Sequence, residues 1–225
     1  MFKTPATGSI LHGDCIDLMA QLPKDSVDLI LTDPPYLANY TPRKNNAGQK
    51  VINDNSDQWL APSFAQMFRV LKTGSFCISF YGWHKADVFM AAWRAAGFRP
   101  VGHIVFRKQY ASSSYYLRAQ HEQAYLLAKG RVPPSDRAPP DVIDWKYTGN
   151  RLHPTQKPVS VLTPLIEAFS KEGDTVLDPF CGSGSTLIAA KKLARDYIGM
   201  ELDASHHRTA TERMQRFQPR QKTAA

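Results

Sequence analysis

The chain has 225 residues, 43% of them hydrophobic and 21% charged, which is ordinary for a globular protein and enough for one well-buried core. That balance excludes a disordered or fibrous polypeptide, and no apolar run approaches the roughly 18 residues of a membrane span. The formal net charge of +8 points to a polyanionic partner, of which nucleic acid is the commonest.

In chain order, the apolar and β-branched runs predict strands over Ser9–His12 and Val27–Thr32, then a helix over Ser63–Leu71. A strand over Ser75–Tyr81, a helix over Lys85–Ala96 and strands over His103–Arg107 and Gln123–Ala128 follow. The last third alternates: helix Val159–Ser170, strand Thr175–Leu177, helix Thr186–Leu193, strand Tyr197–Met200 and helix Ala204–Phe217. This alternation is that of an α/β fold, a doubly wound sheet with helices on both faces, in a single domain over 1–225. Gly74, Gly97 and Gly173 follow three of the helices, where C-terminal caps belong. The amino terminus lacks the apolar core of a secretory signal, so a soluble, cytoplasmic protein is expected. The three cysteines are scattered through apolar segments and His206 and His207 are adjacent, so neither set suggests a metal site.

Two stretches break the rhythm, Leu37–Leu60 and Lys129–Pro154. Long irregular loops in a compact domain are usually functional or disordered. The segment Arg107–Arg151 carries eight Lys or Arg against four acids, interleaved with Tyr110, Tyr115, Tyr116, Trp145 and Tyr147. Bases mixed with aromatic rings suit phosphate contact combined with base stacking.

Two motifs carry chemistry. Asp33-Pro34-Pro35-Tyr36 ends the strand Val27–Thr32 in a rigid turn that sets a carboxylate beside an aromatic ring. Asp178-Pro-Phe180-Cys-Gly182-Ser-Gly184 lies between a strand and a helix, and its glycines let the backbone approach a ligand closely. A nicotinamide fingerprint would want a small residue where Leu187 stands, and a carboxylate in the turn would repel a pyrophosphate. Asp178 therefore argues for a cofactor that carries positive charge. Glu201 ends the next strand, where an acid can accept hydrogen bonds from ribose hydroxyls.

Together with Gly13-Asp14 after the first strand and His153-Pro-Thr155-Gln-Lys157-Pro, these patches resemble the amino-group DNA methyltransferases that use S-adenosylmethionine. The catalytic motif precedes the cofactor motif, which is similar to the circularly permuted group called β. The resemblance implies a Rossmann-like, mostly parallel seven-stranded sheet with one antiparallel strand. It implies that Asp33 and the Pro34 carbonyl, held by Pro35, accept the hydrogens of an exocyclic amine while Tyr36 stacks on a flipped base. It implies cofactor contacts from Asp14 on the adenine side, Glu201 on the ribose and Asp178 on the methionine ammonium. Thr155 and Lys157 would close the methionine end, and Phe180, Gly182 and Gly184 would shape the pocket. Asp rather than Ser at the head of the Pro-Pro-Tyr motif implies adenine N6; cytosine N4, RNA and protein glutamine stay open as acceptors. Double-stranded DNA is the expected partner, in a system that can pair with a restriction nuclease, and a homodimer is possible in this family. A short target-recognition insert is expected over 107–150. The cations expected to meet DNA are Arg43, Lys44, Arg107, Lys108, Arg118, Arg131 and Lys146.

Overall fold

The computed structural model describes residues 7–38, 52–114, 116–132, 138–145 and 156–218. Among them, eight strands form one sheet: β1 (Ser9–His12), β2 (Val27–Thr32), β3 (Leu71–Phe80), β4 (Arg99–Lys108), β5 (His121–Ala128), β6 (Val142–Trp145), β7 (Thr175–Asp178) and β8 (Asp196–Glu201). Their order is β1-β8-β7-β2-β3-β5-β4-β6. Only β5 runs against the rest, pairing antiparallel with β3 and β4. Seven strands match the expected runs; the eighth is the four-residue edge strand β6, parallel to β4. Six α-helices, α1 (Cys15–Ala20), α2 (Leu60–Val70), α3 (Ala86–Ala96), α4 (Val159–Phe169), α5 (Ser185–Lys192) and α6 (Ala204–Arg216), and a 3-10 turn over Trp83–Lys85 accompany the sheet. None of them is long and apolar enough to cross a membrane.

The central strands are apolar on both sides because both faces are covered. In β2, Ile30 packs with α1, α2 and α3 through Met19, Phe64, Met67 and Trp93. Its neighbours Leu29 and Leu31 point the other way, toward Val161, Leu165, Ile166 and Ala189 of α4 and α5. A third, smaller cluster seats α6 on α5 through Leu187, Ala210 and Met214.

The connections set the site. From β2 the chain crosses to β3 on one side, and from β7 it crosses to β8 on the other, while β2 and β7 themselves pair in parallel. The gap outside the carboxyl ends of β2 and β7 is therefore the topological switch point, where doubly wound sheets bind ligands. Asp33 follows one of these strands directly and Asp178 ends the other.

Three local expectations change. Gly97 is a C-terminal cap, with φ of 101° after α3. Gly74 instead lies in an irregularity of β3 with φ of 85°, where the pairing jumps from Val27↔Leu71 to Leu29↔Phe76. Gly173 sits in a turn beyond the extended Ser170 that ends α4. Of the segment 107–150, β5, β6 and the end of β4 belong to the sheet itself, so an insert is reduced to the loops between them.

Trp93 anchors the α2–α3 face. It is fully buried among Phe64, Phe89, Tyr81 and Tyr125, and its indole N–H finds no hydrogen-bond partner. Trp93→Ala is expected to cost about 3–5 kcal/mol. Trp93→Phe, which keeps the ring and removes an unpaired donor, should cost under about 1.5 kcal/mol. Denaturant unfolding of the two variants checks the order.

Candidate active site

One cleft at the switch point is lined by Gly13, Asp14, Asp33, Pro34, Tyr36, Lys157, Asp178, Phe180, Gly182 and Glu201 among others. The sequence motifs thus converge from four separate regions of the chain. Gly184 stands behind this wall, as the left-handed residue (φ 79°) that starts α5 without a side-chain cap. Thr155, Arg43, Lys44 and Lys146 lie outside the described residues.

The Asp33–Tyr36 turn is held by a network that its sequence did not disclose. Tyr36 donates its hydroxyl hydrogen to Asp33 Oδ1 at 2.8 Å. Lys157 donates to Asp33 Oδ2 at 2.6 Å and to the Tyr36 oxygen at 3.0 Å. It is only 6% exposed, with its ammonium 5.1 Å from the Tyr36 ring centre and 4.9 Å from that of Phe80. Lys157 thus sits on the Asp33 carboxylate, whereas the resemblance put it at the cofactor end. Glu122, on β5, is the unanticipated member: its Oε2 lies 3.3 Å from the Tyr36 hydroxyl and its Oε1 accepts from Lys108 at 2.5 Å. An acid at the head of a strand that otherwise buries Ala124 and Leu127 was the only signal the sequence held. Gly82, just past β3, allows the close approach, since a Cβ there would meet Tyr36 Cβ at 2.9 Å and its carbonyl at 3.1 Å.

Burial pushes the Asp33 carboxyl up, and Lys157 and the Tyr36 hydroxyl pull against it. Burial would also raise Glu122, but Lys157 and Lys108 together outweigh it and hold that carboxyl low. The Tyr36 phenol is pushed far up by burial and by both acids, so it stays protonated and able to donate.

The other half of the cleft is built on backbone. Asp14 caps α1, accepting from the Ile16 N–H at 2.8 Å. Glu201 accepts from the Gly182 N–H at 2.8 Å and from the Asp203 N–H at 2.9 Å, so it clamps the glycine turn onto the end of β8. Gly199 permits that closure, because a Cβ would meet Leu187 Cδ1 at 2.5 Å and Cys181 Sγ at 3.1 Å. Cys181 is filler in this joint, and its thiol is pushed far up by burial. Phe180 stands edge-on to Trp59 with ring centres 5.2 Å apart. Asp178 is 3% exposed, and burial pushes its carboxyl up to about 7 despite hydrogen bonds from the Thr186 hydroxyl and the Phe180 N–H.

Charge gives the cleft its character. Six carboxylates line it (Asp14, Asp33, Asp54, Asp178, Glu201 and Asp203), while Lys157 is the single Lys or Arg among its described lining residues. That lysine is committed to Asp33, and among the described residues no ion pair reaches Asp178. A protein of net charge +8 therefore holds an acidic cleft fitted to a cationic ligand. S-Adenosylmethionine, with its sulfonium and ammonium, fits this donor set: Asp178 would face positive charge and Glu201 would offer its remaining lone pairs to hydroxyls.

The cations proposed for DNA separate into groups. Lys108 is buried on Glu122 and is not a surface contact. Arg131 follows the carboxyl end of the one antiparallel strand and sits with Gly97 and Arg99 at the opposite end of the sheet from Asp33, so it is removed from the set. Arg107 is exposed at the cleft end and paired with Asp144 at 2.8 Å. Arg118 is exposed in the β4–β5 connection.

The family model described as DNA methylase matches residues 27–212. YubD of Escherichia coli (strain K12), provisionally named a methylase, is 50% identical over 204 residues, 91% of this chain and 88% of that protein. The structure of M1.HpyAVI in complex with SAM superposes with a TM-score of 0.72 at 23% identity, covering 92% of this chain and 98% of that one. The cytosine-N4-specific PvuII DNA methyltransferase superposes with a TM-score of 0.74 at 16% identity, covering 98% and 89%. The likeness to these two structures concerns the fold.

The raised Asp178 carboxyl carries a stability consequence. Its ordinary value is 3.8 and its folded value about 7, so between these the folded protein holds the extra proton. That stabilisation is complete below the unfolded value and is lost as pH rises through about 7. Asp178→Asn should therefore match the parent protein in denaturant midpoint near pH 4 and exceed it at pH 8. A difference that does not change with pH would contradict the assignment.

Proposed function

This chain belongs to the N6/N4 DNA methylase family, and from that premise we propose that it transfers a methyl group from S-adenosylmethionine to the exocyclic N6 amine of adenine in double-stranded DNA. The observation that carries this reading is the Asp33 carboxylate, held by Lys157 at 2.6 Å and Tyr36 at 2.8 Å beside the acidic, cation-seeking pocket of Asp178 and Glu201. When bound, the cofactor supplies an electrophilic methyl on a sulfonium.

The residues of the chain do the rest. The amine lone pair of adenine is delocalised into the ring, which makes it a poor nucleophile. Acceptors for both amine hydrogens draw the nitrogen toward a tetrahedral shape and localise that pair. Asp33 is one acceptor: each of its oxygens already takes one hydrogen bond, and a carboxylate has about four lone-pair sites, so capacity remains. The Pro34 carbonyl, on the same cleft wall, is the second. Lys157 opposes the burial that pushes this carboxyl up and so favours its ionised form. Once nitrogen is alkylated its proton is acidic, and Asp33 can take it without having been a strong base. Positioning and electrostatics supply most of the rate.

A base inside the duplex must leave the stack to reach this site, at a cost of a few kcal/mol. Tyr36, its hydroxyl tethered to Asp33, offers a ring that returns about 1–3 kcal/mol by stacking. Asp33 at the head of the motif favours adenine over cytosine as the acceptor.

Incubation with labelled S-adenosylmethionine and duplex DNA or RNA tests the assignment: label is expected in the DNA, and in adenine on nucleoside analysis. Label confined to RNA or protein would overturn it, and N4-methylcytosine would move it to the other branch of the family. Asp33→Asn should lower kcat by about 10²–10⁴-fold. Lys157→Gln leaves a buried carboxylate without its counter-charge, so the Asp33 carboxyl rises further and the acid limb of the kcat profile shifts to higher pH. An unshifted limb would show that Lys157 does not govern Asp33.

A further inference from the structure

The β4–β5 connection is a finger with an unusual tip. The strand pairing proper ends at Arg107↔His121. Beyond it the two chains stay joined: Lys108 N–H to the Gln120 carbonyl at 2.7 Å, Ser112 N–H to Ala119 at 2.9 Å, Ala119 N–H to Ser113 at 2.9 Å, and a bridge between Ser114 and Arg118. At the turn stand Tyr116, 89% exposed, and Leu117, 84% exposed, the two most exposed large hydrophobic side chains among the described residues. Leaving the Leu117 side chain in water forgoes about 1.5–3 kcal/mol.

Position and charge say what the tip meets. β4 runs parallel to β2, so the finger rises from the end of the sheet that carries Asp33. Its stretch 109–121 contains no carboxylate and carries Arg118 beside the apolar pair. Trp83, 74% exposed just after β3, lies at the same end. The base of the finger is fastened to the catalytic turn: Lys108 reaches Ser112 at 3.5 Å and Glu122 at 2.5 Å, and Glu122 reaches the Tyr36 hydroxyl at 3.3 Å.

We propose that Tyr116 and Leu117 form a wedge that enters duplex DNA at the step vacated by the target base, with Arg118 on the adjoining phosphate. The proposal rests on the methyltransferase reading and specifies how that site obtains its base. Apolar side chains that enter a base step trade unstacking for new contact. Glu122 is then a positioning residue that ties the finger to Tyr36, so that the wedge and the stacking ring keep a fixed separation.

The test uses the full chain with Tyr116→Ala/Leu117→Ala, and oligonucleotide duplexes bearing a site mapped by sequencing plasmid DNA methylated by the parent protein. The expected result is a kcat/KM about tenfold lower on the matched duplex, recovering to within about twofold when the target adenine faces an abasic position and, having no pairing partner, flips at lower cost. Cofactor affinity should be unchanged, which also shows that the variant is folded. Equal activity on the matched duplex, or an equal loss on both substrates, overturns the wedge. A variant that alters the oligomeric state but methylates the matched duplex normally would assign the tip to self-association and also overturn it. Absence of transfer to any DNA by the parent protein would instead bring down the functional reading, and the wedge with it.

Discussion

Two largely buried carboxyl groups at the ends of adjacent parallel strands, only one of them with a lysine partner, are the constraint on which the site depends. Asp33 and Asp178 leave the carboxyl ends of β2 and β7, and each raises the cost of ionising near the other. Lys157 answers Asp33 at 2.6 Å. Asp178 receives only neutral hydrogen-bond donors among the described residues, and burial keeps its carboxyl near 7. Such a carboxylate destabilises the empty fold at neutral pH and binds a cation in return. The switch-point topology makes this possible, since it opens a crevice where two strand ends would otherwise be covered.

The same division orders the whole molecule. Net positive charge lies outside and six carboxylates line the cleft, so a polyanion is attracted to the surface while a cation is drawn within. Tyr36 joins the two regions. Its hydroxyl touches Asp33 on one side and Glu122 on the other, and Glu122 leads through Lys108 to the finger between β4 and β5. A chain of hydrogen bonds thus connects that finger to the Asp33 carboxylate.

Much of this was legible in the sequence, and the exceptions have physical causes. Seven strands and five helices followed from hydrophobic period, and the strand-ending acids Asp178 and Glu201 from their position. The helix α1 has only six residues, too few for a helical period to declare itself, and the edge strand β6 buries only Trp145, so it carries no apolar run. Asp14 was visible as a residue after a strand, but its role as the cap of that short helix was not. Lys157 and Glu122 could not be assigned because their partners are 124 and 86 residues away, and only the folded sheet brings them to Asp33 and Tyr36. Lys108 and Arg131 were misread for the opposite reason: a basic residue in a basic segment says nothing about which way it points or at which end of the sheet it emerges. One turned inward to an acid and the other emerged at the far end.

The cleft holds an acid awaiting positive charge, and proton linkage reads that acid out. Calorimetric titration with S-adenosylmethionine at pH 6.5, repeated in buffers of different ionisation enthalpy, counts the protons exchanged on binding. Docking a cation beside Asp178 lowers its carboxyl from about 7 and expels the proton it holds at that pH. The account predicts a net proton release that disappears in Asp178→Asn. Binding with the same proton count in both proteins would contradict it.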